Sequence, residues 1–393
     1  MSASPPGILF TAFEPSGDVL AARVVEVVRR RRPDLPIWAL GGPKMRDAGA
    51  ELIESSTDRA VMLAGAAAQG WSHHKRLGRL RAWLSDHRLS ALVAVDSPAA
   101  NWSICKLIRR QQPRARIVHL VAPQLWAWAP WRIGKLRRLT DQVLCLLPFE
   151  PPWFDQRGVP AAFVGHPLYD PPPDTAAWAD QVAQLPQGDG PKLAMLPGSR
   201  HAEVKANWPT MAGAIKALRR RHPSLQAVVA AHTERISAQV VALTGRVDPS
   251  VLDVVQIEVG NTDAVLSWSD SAVVVSGTAT LQAAAIGVPM VVLYEVNRLV
   301  WHLVGRWMIR ARAISLPNLI TQDEGLGHVV PELMPNFGAV NPVVSQVDRL
   351  LSDPSARTRQ LEAFSRIRSR FSQVRFAQAA ADRLLGAIDA AAG

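Results

Sequence analysis

The sequence predicts an α/β protein with two doubly wound parallel sheets that face a central cleft, followed by a helical tail. Two observations support this fold class. Short apolar runs alternate with amphipathic stretches along both halves of the chain, as in parallel strands that helices cover on both faces. A Pro-rich segment separates the halves, and 393 residues are enough for two domains of usual size.

The first half is predicted to be one Rossmann-like domain, residues 1–170. Between its first two strands, the segment 17–31 has apolar residues at helical spacing and arginines on the opposite side, which predicts an amphipathic helix. Six apolar runs are predicted to be strands: Ile8–Thr11, Ile37–Leu40, Leu92–Val95, Ile117–Val121, Val143–Leu147 and Ala162–Val164.

The second half repeats this alternation after a predicted linker, residues 171–191, which opens with three prolines. We expect a second Rossmann-like domain over residues 192–340. Apolar residues at helical spacing then predict a helical tail, residues 341–393, that packs on the N-terminal domain or on a partner subunit. The predicted strands are Lys192–Leu196, Gln226–Ala230, Val254–Ile257, Ala272–Val275 and the apolar run after Pro289.

Composition limits the classes of partner. The net charge of +11 favours anionic partners such as nucleotide phosphates or a lipid surface. Nucleic acid is disfavoured, because the basic residues are spread over both halves without a recognised module. We expect a cytosolic protein that meets membranes only at their surface, since there is neither a secretory signal pattern nor an apolar run of about 20 residues. Cys105 and Cys145 form no motif, which is typical of reduced thiols.

Two loops of the second half are predicted to bind one diphosphate. Ser276-Gly277-Thr278 follows an apolar strand and opens a helix, where free backbone N–H groups and the helix dipole attract anions. Gly198-Ser199-Arg200 also follows a strand, and Glu203 stands in capping-box position one helical turn on. An ordinary turn between strand and helix is the alternative for each loop taken alone.

The first half supplies two candidate acids at strand ends. Glu14, with Ser16 and Gly17 directly after it, follows the first strand, and Asp96 follows the strand Leu92–Val95. A carboxylate at the mouth of a sheet suits a general base, because burial can raise its pKa. Helix capping is the alternative for each. His166, at the end of the last strand, can contact a ligand or pack internally.

The sequence favours chemistry without a metal or a cofactor. No cluster of His, Cys, Asp and Glu has metal-ligand spacing. No G-x-G-x-x-G motif opens either half, which tells against nicotinamide and flavin chemistry.

Eight segments together carry a family resemblance. They are Glu14-Pro15-Ser16-Gly17-Asp18, Gly41-Gly42-Pro43-Lys44-Met45, Asp96-Ser97-Pro98 with Asn101, Trp126-Ala127-Trp128 with Arg132, Leu147-Pro148-Phe149-Glu150 with Gly165-His166-Pro167, Leu196-Pro197-Gly198-Ser199-Arg200 with Glu203, Ser276-Gly277-Thr278-Ala279, and Ser315-Leu316-Pro317-Asn318. In their order and spacing, from about residue 7 to about residue 335, the chain resembles the lipid-A-disaccharide synthase family of glycosyltransferases.

The resemblance implies the GT-B fold and a specific reaction. The family moves 2,3-diacylglucosamine from its UDP-linked donor to 2,3-diacylglucosamine 1-phosphate (lipid X) at the inner face of the cytoplasmic membrane, without a metal. Carried over, it implies that Asp96 is the base or else a residue that positions the substrate, that Arg200 steadies the leaving diphosphate, and that Asn318 lies among the binding residues. Gln282 stands where the family has a glutamate that would hold the donor ribose. A homodimer and an anionic membrane surface are the implied partners.

Two segments are candidate membrane-docking surfaces. One is the basic and aromatic stretch 60–76, and the other is the segment 301–312, where Trp301 and Trp307 alternate with arginines. Core packing of a helix with a charged outer face is the alternative for both. Two other functions stay open: an enzyme similar to UDP-N-acetylglucosamine 2-epimerases, and a nucleotide-sugar binder without catalysis.

Overall fold

The computed structural model describes residues 5–56, 66–302 and 313–392. Contacts divide the chain into two compact units. Unit 1 comprises Met1–Asp170 and Gln373–Gly393, and unit 2 comprises Pro171–Ser372. The candidate docking residues 60–65 and 303–312 lie outside the described residues. In the described ranges, no helix is both long enough and apolar enough to cross a membrane.

Unit 1 is built on a parallel sheet whose inner strands are mostly apolar and buried. Its strand order is β3-β2-β1-β4-β5-β6-β7, so the order reverses between β1 and β4. In doubly wound sheets this reversal is the switch point, where ligands bind at the carboxyl ends of the strands. The strands are β1 Gly7–Thr11, β2 Ile37–Gly41, β3 Glu51–Ser55, β4 Leu89–Val95, β5 Arg116–Leu120, β6 Gln142–Cys145 and β7 Ala161–Phe163.

Unit 2 is built on a second parallel sheet of the same kind. Its order is β10-β9-β8-β11-β12-β13, with the switch point between β8 and β11. The strands are β8 Lys192–Leu196, β9 Gln226–Ala231, β10 Val255–Val259, β11 Ser271–Val275, β12 Met290–Glu295 and β13 Glu332–Asn336.

Helices connect the parallel strands and cover the sheets. The helices up to the end of β7 are α1 Pro15–Arg31, α2 Pro43–Asp47, α3 Ala66–Asp86, α4 Pro98–Gln111, α5 Leu125–Trp128, α6 Ile133–Leu139 and α7 Glu150–Asp155. The later helices are α8 Ala179–Ala183, α9 His201–Arg221, α10 Glu234–Val247, α11 Thr262–Trp268, α12 Thr278–Ile286, α13 Arg298–Val300, α14 Leu316–Asp323, α15 Val340–Ser352, α16 Pro354–Ser372 and α17 Phe376–Ala392. The described residues also contain four 3₁₀ helices, Pro130–Arg132, Pro167–Tyr169, Thr175–Trp178 and Pro249–Val254.

The C-terminal helices are shared between the two units. α15 buries its apolar face in the core of unit 2, and the Gln360 side chain of α16 exchanges two hydrogen bonds with the backbone of Met290. α17 packs on α1 instead, so that Phe376 and Leu384 join the core of unit 1. Residues 171–191 contain α8 and lie in unit 2, where the Trp268 indole N–H donates to the Pro186 carbonyl across 2.9 Å.

Two strands of the sheets escaped the sequence prediction. β3 and β13 lie at sheet edges, where each pairs with a single neighbour. All five residues of β3 are exposed or half-buried, and β13 contains Pro335. Edge strands need little apolar character and tolerate proline, so the search for apolar runs missed them.

Candidate functional site

The first group of candidate residues lies at the switch point of unit 1. β1 and β4 are hydrogen-bonded neighbours, so the loops that follow them leave the same edge of the sheet. One loop carries Glu14, and the other carries Asp96 and Ser97. The Ser97 hydroxyl donates to Glu14 Oε1 across 3.2 Å. The structure therefore brings Glu14 and the Asp96 loop together, while their chemical roles stay predictions.

The backbone of the Asp96 loop is held in an unusual conformation. Asp96 has a φ of 44° and Ser97 a φ of 33°, in the left-handed region that costs energy for residues other than glycine. The buried Asn101 amide donates to the Val95 and Asp96 carbonyls, both at 3.0 Å. The Thr11 hydroxyl in turn donates to Asn101 Oδ1 across 2.6 Å. This network holds the strained turn and, with it, the half-buried Asp96.

The start of α1 has a different capping arrangement from an ordinary N-cap. Glu14 occupies the N-cap position in extended conformation, with no side-chain capping bond. Ser16 is exposed, and Gly17 is buried. Asp18 is 2% exposed and caps α2 instead, since it accepts the backbone N–H groups of Gly42, Lys44 and Met45 at 2.9, 3.0 and 3.2 Å. Asp18 therefore joins the first two loops of the sheet edge.

In unit 2, the Gly198 loop is shaped by Glu203. Gly198 has a φ of 110°, and a Cβ there would lie 2.8 Å from the Glu203 Cβ. Glu203 Oε2 accepts the backbone N–H groups of Ser199 and Arg200, both at 3.2 Å. Its Oε1 pairs with the Arg200 guanidinium at 2.9 Å. The Arg200 side chain is 79% exposed, so Glu203 orients a cation that stands in solvent.

The Ser276 loop presents a helix N-terminus. Gly277 is the N-cap of α12, with a φ of 153° and no side-chain capping bond. A Cβ at Gly277 would meet nothing within 4 Å, so the backbone angle is the reason for glycine. The Ser276 hydroxyl donates to the Ile314 carbonyl across 2.6 Å, and Thr278 is exposed. Backbone N–H groups and Thr278 are thus the groups that this loop offers to an anion.

These two loops lie at the switch point of unit 2. β8 and β11 pair in register from Leu193–Ser271 to Leu196–Val274. The Gly198 loop follows β8 and the Ser276 loop follows β11, so both leave the same edge of the sheet. The arrangement places a cation and a helix N-terminus on neighbouring strands, which suits a diphosphate.

Gln282 has a carboxylate partner that the sequence did not reveal. Its side-chain N–H donates to Asp263 Oδ1 of α11 across 2.6 Å. An acid is therefore present beside α12 although residue 282 is an amide. Such a pair between two helices leaves no signal in the spacing of residues along the chain.

Asn318 is engaged inside unit 2. It is fully buried, and its Nδ2 donates to the Val330 carbonyl at 2.8 Å and to Glu332 Oε1 at 2.7 Å. Its Oδ1 accepts the N–H groups of Val329 and Val330, both at 2.9 Å. These bonds use both the nitrogen and the oxygen of the Asn318 amide. The geometry therefore supports a structural role, in which Asn318 stabilises the loop whose Ile314 carbonyl accepts the Ser276 hydroxyl.

His166 is also engaged internally. It is 7% exposed, and its Nδ1 accepts the N–H of Leu168 across 3.1 Å. Burial, with a smaller contribution from Arg23, lowers its pKa to about 3. The neutral ring therefore caps the 3₁₀ helix Pro167–Tyr169, and internal packing is the arrangement that the structure shows.

Glu150 is a buried acid to which the sequence reasoning gave no role. It is 2% exposed, and it accepts the indole N–H of Trp126 and the backbone N–H of Leu147, both at 3.1 Å. Burial raises its pKa to about 7. The apolar residues around it in the segment Leu146–Trp153 were the available signal, but glutamate is mostly exposed unless it is paired, so its residue type pointed the other way.

Within the described ranges, no group of three or more His, Cys, Asp and Glu side chains is arranged to hold a metal ion. The candidate anion-binding groups of unit 2 are the Arg200 guanidinium and the N-terminus of α12.

Solved structures with this fold include nucleotide-sugar enzymes. The glycotransferase of kitacinnamycin superposes with a TM-score of 0.62 at 16% identity, covering 98% of this chain and all of that one. The UDP-GlcNAc 2-epimerase from Neisseria meningitidis, solved with UDP-GlcNAc, superposes with a TM-score of 0.59 at 11% identity, covering 97% of this chain and 99% of that one. At such low identity these likenesses establish the GT-B fold alone.

Sequence comparison identifies the family. The family model described as "Lipid-A-disaccharide synthetase" matches residues 8–382. The lipid-A-disaccharide synthase of Anaeromyxobacter dehalogenans strain 2CP-1 is 33% identical over 384 residues, which cover 96% of this chain and 97% of that protein. Both matches extend over the two units and include every candidate site residue named above. The chain therefore belongs to the lipid-A-disaccharide synthase family of glycosyltransferases.

Proposed function

We propose that the chain transfers 2,3-diacylglucosamine from its UDP-linked donor to lipid X, forming the lipid A disaccharide 1-phosphate and UDP. The proposal rests on one observation in a chain of this family, the position of the candidate loops within the two sheets. All of them follow strands at the switch points of two doubly wound sheets, the edges where such folds bind nucleotides and sugars.

Unit 2 holds the donor in this proposal. The exposed N-terminus of α12, with Gly277 and Thr278, receives the diphosphate, and Arg200 on the neighbouring loop neutralises it. The UDP-GlcNAc bound to the Neisseria epimerase of the same fold supports a UDP-linked donor. Gly198, Ser199 and Glu203 shape the Arg200 loop, and Gln282 with Asp263 supplies polar groups beside the helix.

Unit 1 supplies the base. The Asp96 carboxylate takes the proton from the acceptor 6-hydroxyl, and that oxygen then attacks C1 of the donor sugar. The bond between C1 and the diphosphate oxygen breaks, and UDP leaves with the bonding electrons. Glu14, through Ser97, orients the Asp96 loop at the sheet edge, and Ser16 and Gly17 line the acceptor side.

The acyl chains of both substrates set the location that we propose. The protein works as a peripheral enzyme on the anionic inner face of the cytoplasmic membrane, where a charge of +11 favours binding. We propose a homodimer, as the resemblance implies, and a reaction without a resident metal or cofactor, because Arg200 and the α12 N-terminus supply the positive charge.

The proposal is tested with purified protein, UDP-2,3-diacylglucosamine and lipid X in detergent, with UDP release and disaccharide mass as readouts. We expect Asp96→Asn to lower kcat by roughly 10²–10⁴-fold, the usual contribution of a general base. We expect Arg200→Ala to lower kcat by roughly 10²–10³-fold. Two variants are matched controls with expected normal turnover: Asp86→Asn, at the end of the helix α3 that precedes β4, and Arg220→Ala, at the other end of α9.

The other outcomes identify other functions. Full activity of Asp96→Asn and Arg200→Ala would refute the assigned roles. UDP binding without turnover would identify a nucleotide-sugar binder, and conversion of unacylated UDP-GlcNAc without detergent would identify an epimerase.

A further inference from the structure

One segment of unit 1 is strongly biased in charge. Between Ser97 and Thr140 the sequence has nine lysines and arginines and four tryptophans, but no aspartate or glutamate. This is the longest stretch of the sequence without an aspartate or glutamate. A positive field of this length attracts anions and repels other basic surfaces.

The structure gathers part of this segment into one exposed surface, which we call the Trp–Arg surface and define as Trp128, Trp131, Arg132 and Lys135. Trp128 is 41% exposed and Trp131 is 65% exposed. Among the Phe, Trp and Tyr side chains whose burial the structure describes, these two are the exposed ones, and they stand three positions apart. Exposed tryptophans of this kind commonly mark a surface that is covered by a partner.

The cations of the surface are held by aromatic rings rather than by acids. The Arg132 guanidinium lies 4.9 Å from the Trp128 ring centroid and 5.8 Å from that of Trp102, and Lys135 Nζ lies 4.2 Å from that of Trp102. Trp102 is 6% exposed, so its ring forms a rigid base for both. Across the ranges 5–56, 66–302 and 313–392, neither Arg132 nor Lys135 forms an ion pair. Their charge is therefore available to an external anion.

The surface adjoins the Asp96 loop. α5 follows β5, and β5 pairs with β4, which ends immediately before Asp96. The Asp96 N–H donates to the Leu120 carbonyl, the last residue of β5, across 2.9 Å. A partner on the Trp–Arg surface would thus lie beside the edge of the sheet that we propose to receive a lipid acceptor.

We infer that the Trp–Arg surface docks unit 1 on an anionic phospholipid bilayer. The inference rests on the proposed function in one respect, that the acceptor reaches Asp96 from a membrane. Tryptophan rings partition to the headgroup level of a bilayer, and nearby lysines and arginines bind the phosphates there. The absence of acids over 44 residues matches a uniformly negative surface better than a protein partner of mixed charge.

The test is co-sedimentation of the full chain with vesicles of phosphatidylcholine, with and without 30% phosphatidylglycerol. We expect binding to the anionic vesicles that weakens as salt is raised. Arg132→Gln/Lys135→Gln should weaken it roughly thirtyfold, at about 1 kcal/mol for each cation. Trp128→Ser/Trp131→Ser should also release the protein. The charge-matched control Arg220→Gln/Arg246→Gln, on exposed positions of unit 2, should bind like the unmodified chain.

The outcomes separate this inference from the proposed function. UDP affinity, measured by calorimetry, checks that each variant is folded, and transfer in detergent checks the reaction without a bilayer. Normal vesicle binding by the Trp and the Arg–Lys variants would overturn the docking surface. Equal binding to neutral vesicles, or loss of self-association instead of vesicle binding, would overturn the choice of partner. Vesicle binding without transferase activity would leave docking intact and refute the proposed function alone.

Discussion

The amide of Gln282 shows how a single residue depends on its neighbour. The resemblance makes an acid the expected residue at this position, and the structure has the Asp263 carboxylate 2.6 Å from the amide nitrogen. An amide is the side chain of this size that can donate to that carboxylate, so Gln282 and Asp263 form a complementary pair.

We predict that Gln282→Glu destabilises the protein. Two carboxylates at this separation repel, and the hydrogen bond to a charged acceptor is lost, which costs about 2 kcal/mol. The measurement is thermal unfolding at pH 8. Asp263→Asn/Gln282→Glu should recover most of the loss, because it restores one donor and one acceptor. Equal stability of Gln282→Glu and the unmodified chain would contradict the pairing.

Residue-level prediction succeeded where strand order decides proximity. Glu14 and Asp96 follow strands that pair, so their loops had to leave one edge, and the Ser97–Glu14 hydrogen bond is the result. It did not extend to pairs between helices, such as Asp263 with Gln282. Nor could it foresee that the Asn318 amide is engaged by internal hydrogen bonds, because burial depends on the packing of the completed unit.

At the scale of elements, the search for apolar runs located the inner strands and missed two edge strands, β3 and β13. Lys192–Leu196 was predicted at its observed bounds, and most other strands were predicted to within three residues at either end. Helices cover both faces of the inner strands, so each of these strands is a nearly continuous apolar run in the sequence. β3 and β13 receive cover from one neighbouring strand only, and their sequences carry charge or proline instead.

Glu150 connects two helices and should make their stability depend on pH. It begins α7 and accepts the indole N–H of Trp126 in α5. Because burial raises its pKa to about 7 from 4.5, the folded protein binds a proton there that the unfolded chain releases. The contribution of Glu150 to the unfolding free energy is then fully present below about pH 4.5, and it falls as the pH rises towards 7.

We predict that Glu150→Gln flattens this dependence. The variant cannot ionise at this position. From pH 5 to pH 8, its unfolding free energy should therefore rise relative to that of the unmodified chain by up to about 3 kcal/mol. Its absolute stability is expected to be lower at pH 5, because a single amide oxygen replaces two acceptors. Chemical unfolding at both pH values measures the shift, and Glu26→Gln on the surface of α1 is the control. No shift between pH 5 and pH 8 would show that Glu150 is ionised in the folded protein throughout this range.

At the scale of the whole molecule, the chain returns to its starting unit. The sequence predicted a helical tail and left its packing partner open between the N-terminal domain and a second subunit. In the structure α15 and α16 complete unit 2, and α17 inserts Phe376, Leu384 and Ile388 into the core of unit 1. Ion pairs of Arg31 with Asp382 and of Arg375 with Asp170, the latter at 3.5 Å, lie at the rim of this packing. The amphipathic pattern shows that such a helix needs an apolar surface, but many surfaces satisfy that need.

We predict that α17 stabilises unit 1 and leaves unit 2 largely unaffected. Its three large apolar side chains each contribute roughly 2 kcal/mol of burial, so a chain ending at Ser372 should lose hydrogen-exchange protection in β4 and β5 while β8 and β11 keep theirs. Phe376→Ala should produce a smaller loss in the same strands, by about 3–5 kcal/mol if the cavity does not collapse.

Arg383→Ala, on the exposed face of the same helix, is the matched control and should leave every strand protected. Unchanged protection of β4 and β5 in the truncated chain would mean that unit 1 folds without α17. Because Asp96 follows β4 directly, loosening of this strand should also lower transfer activity, whereas UDP affinity, which we assign to unit 2, should stay the same.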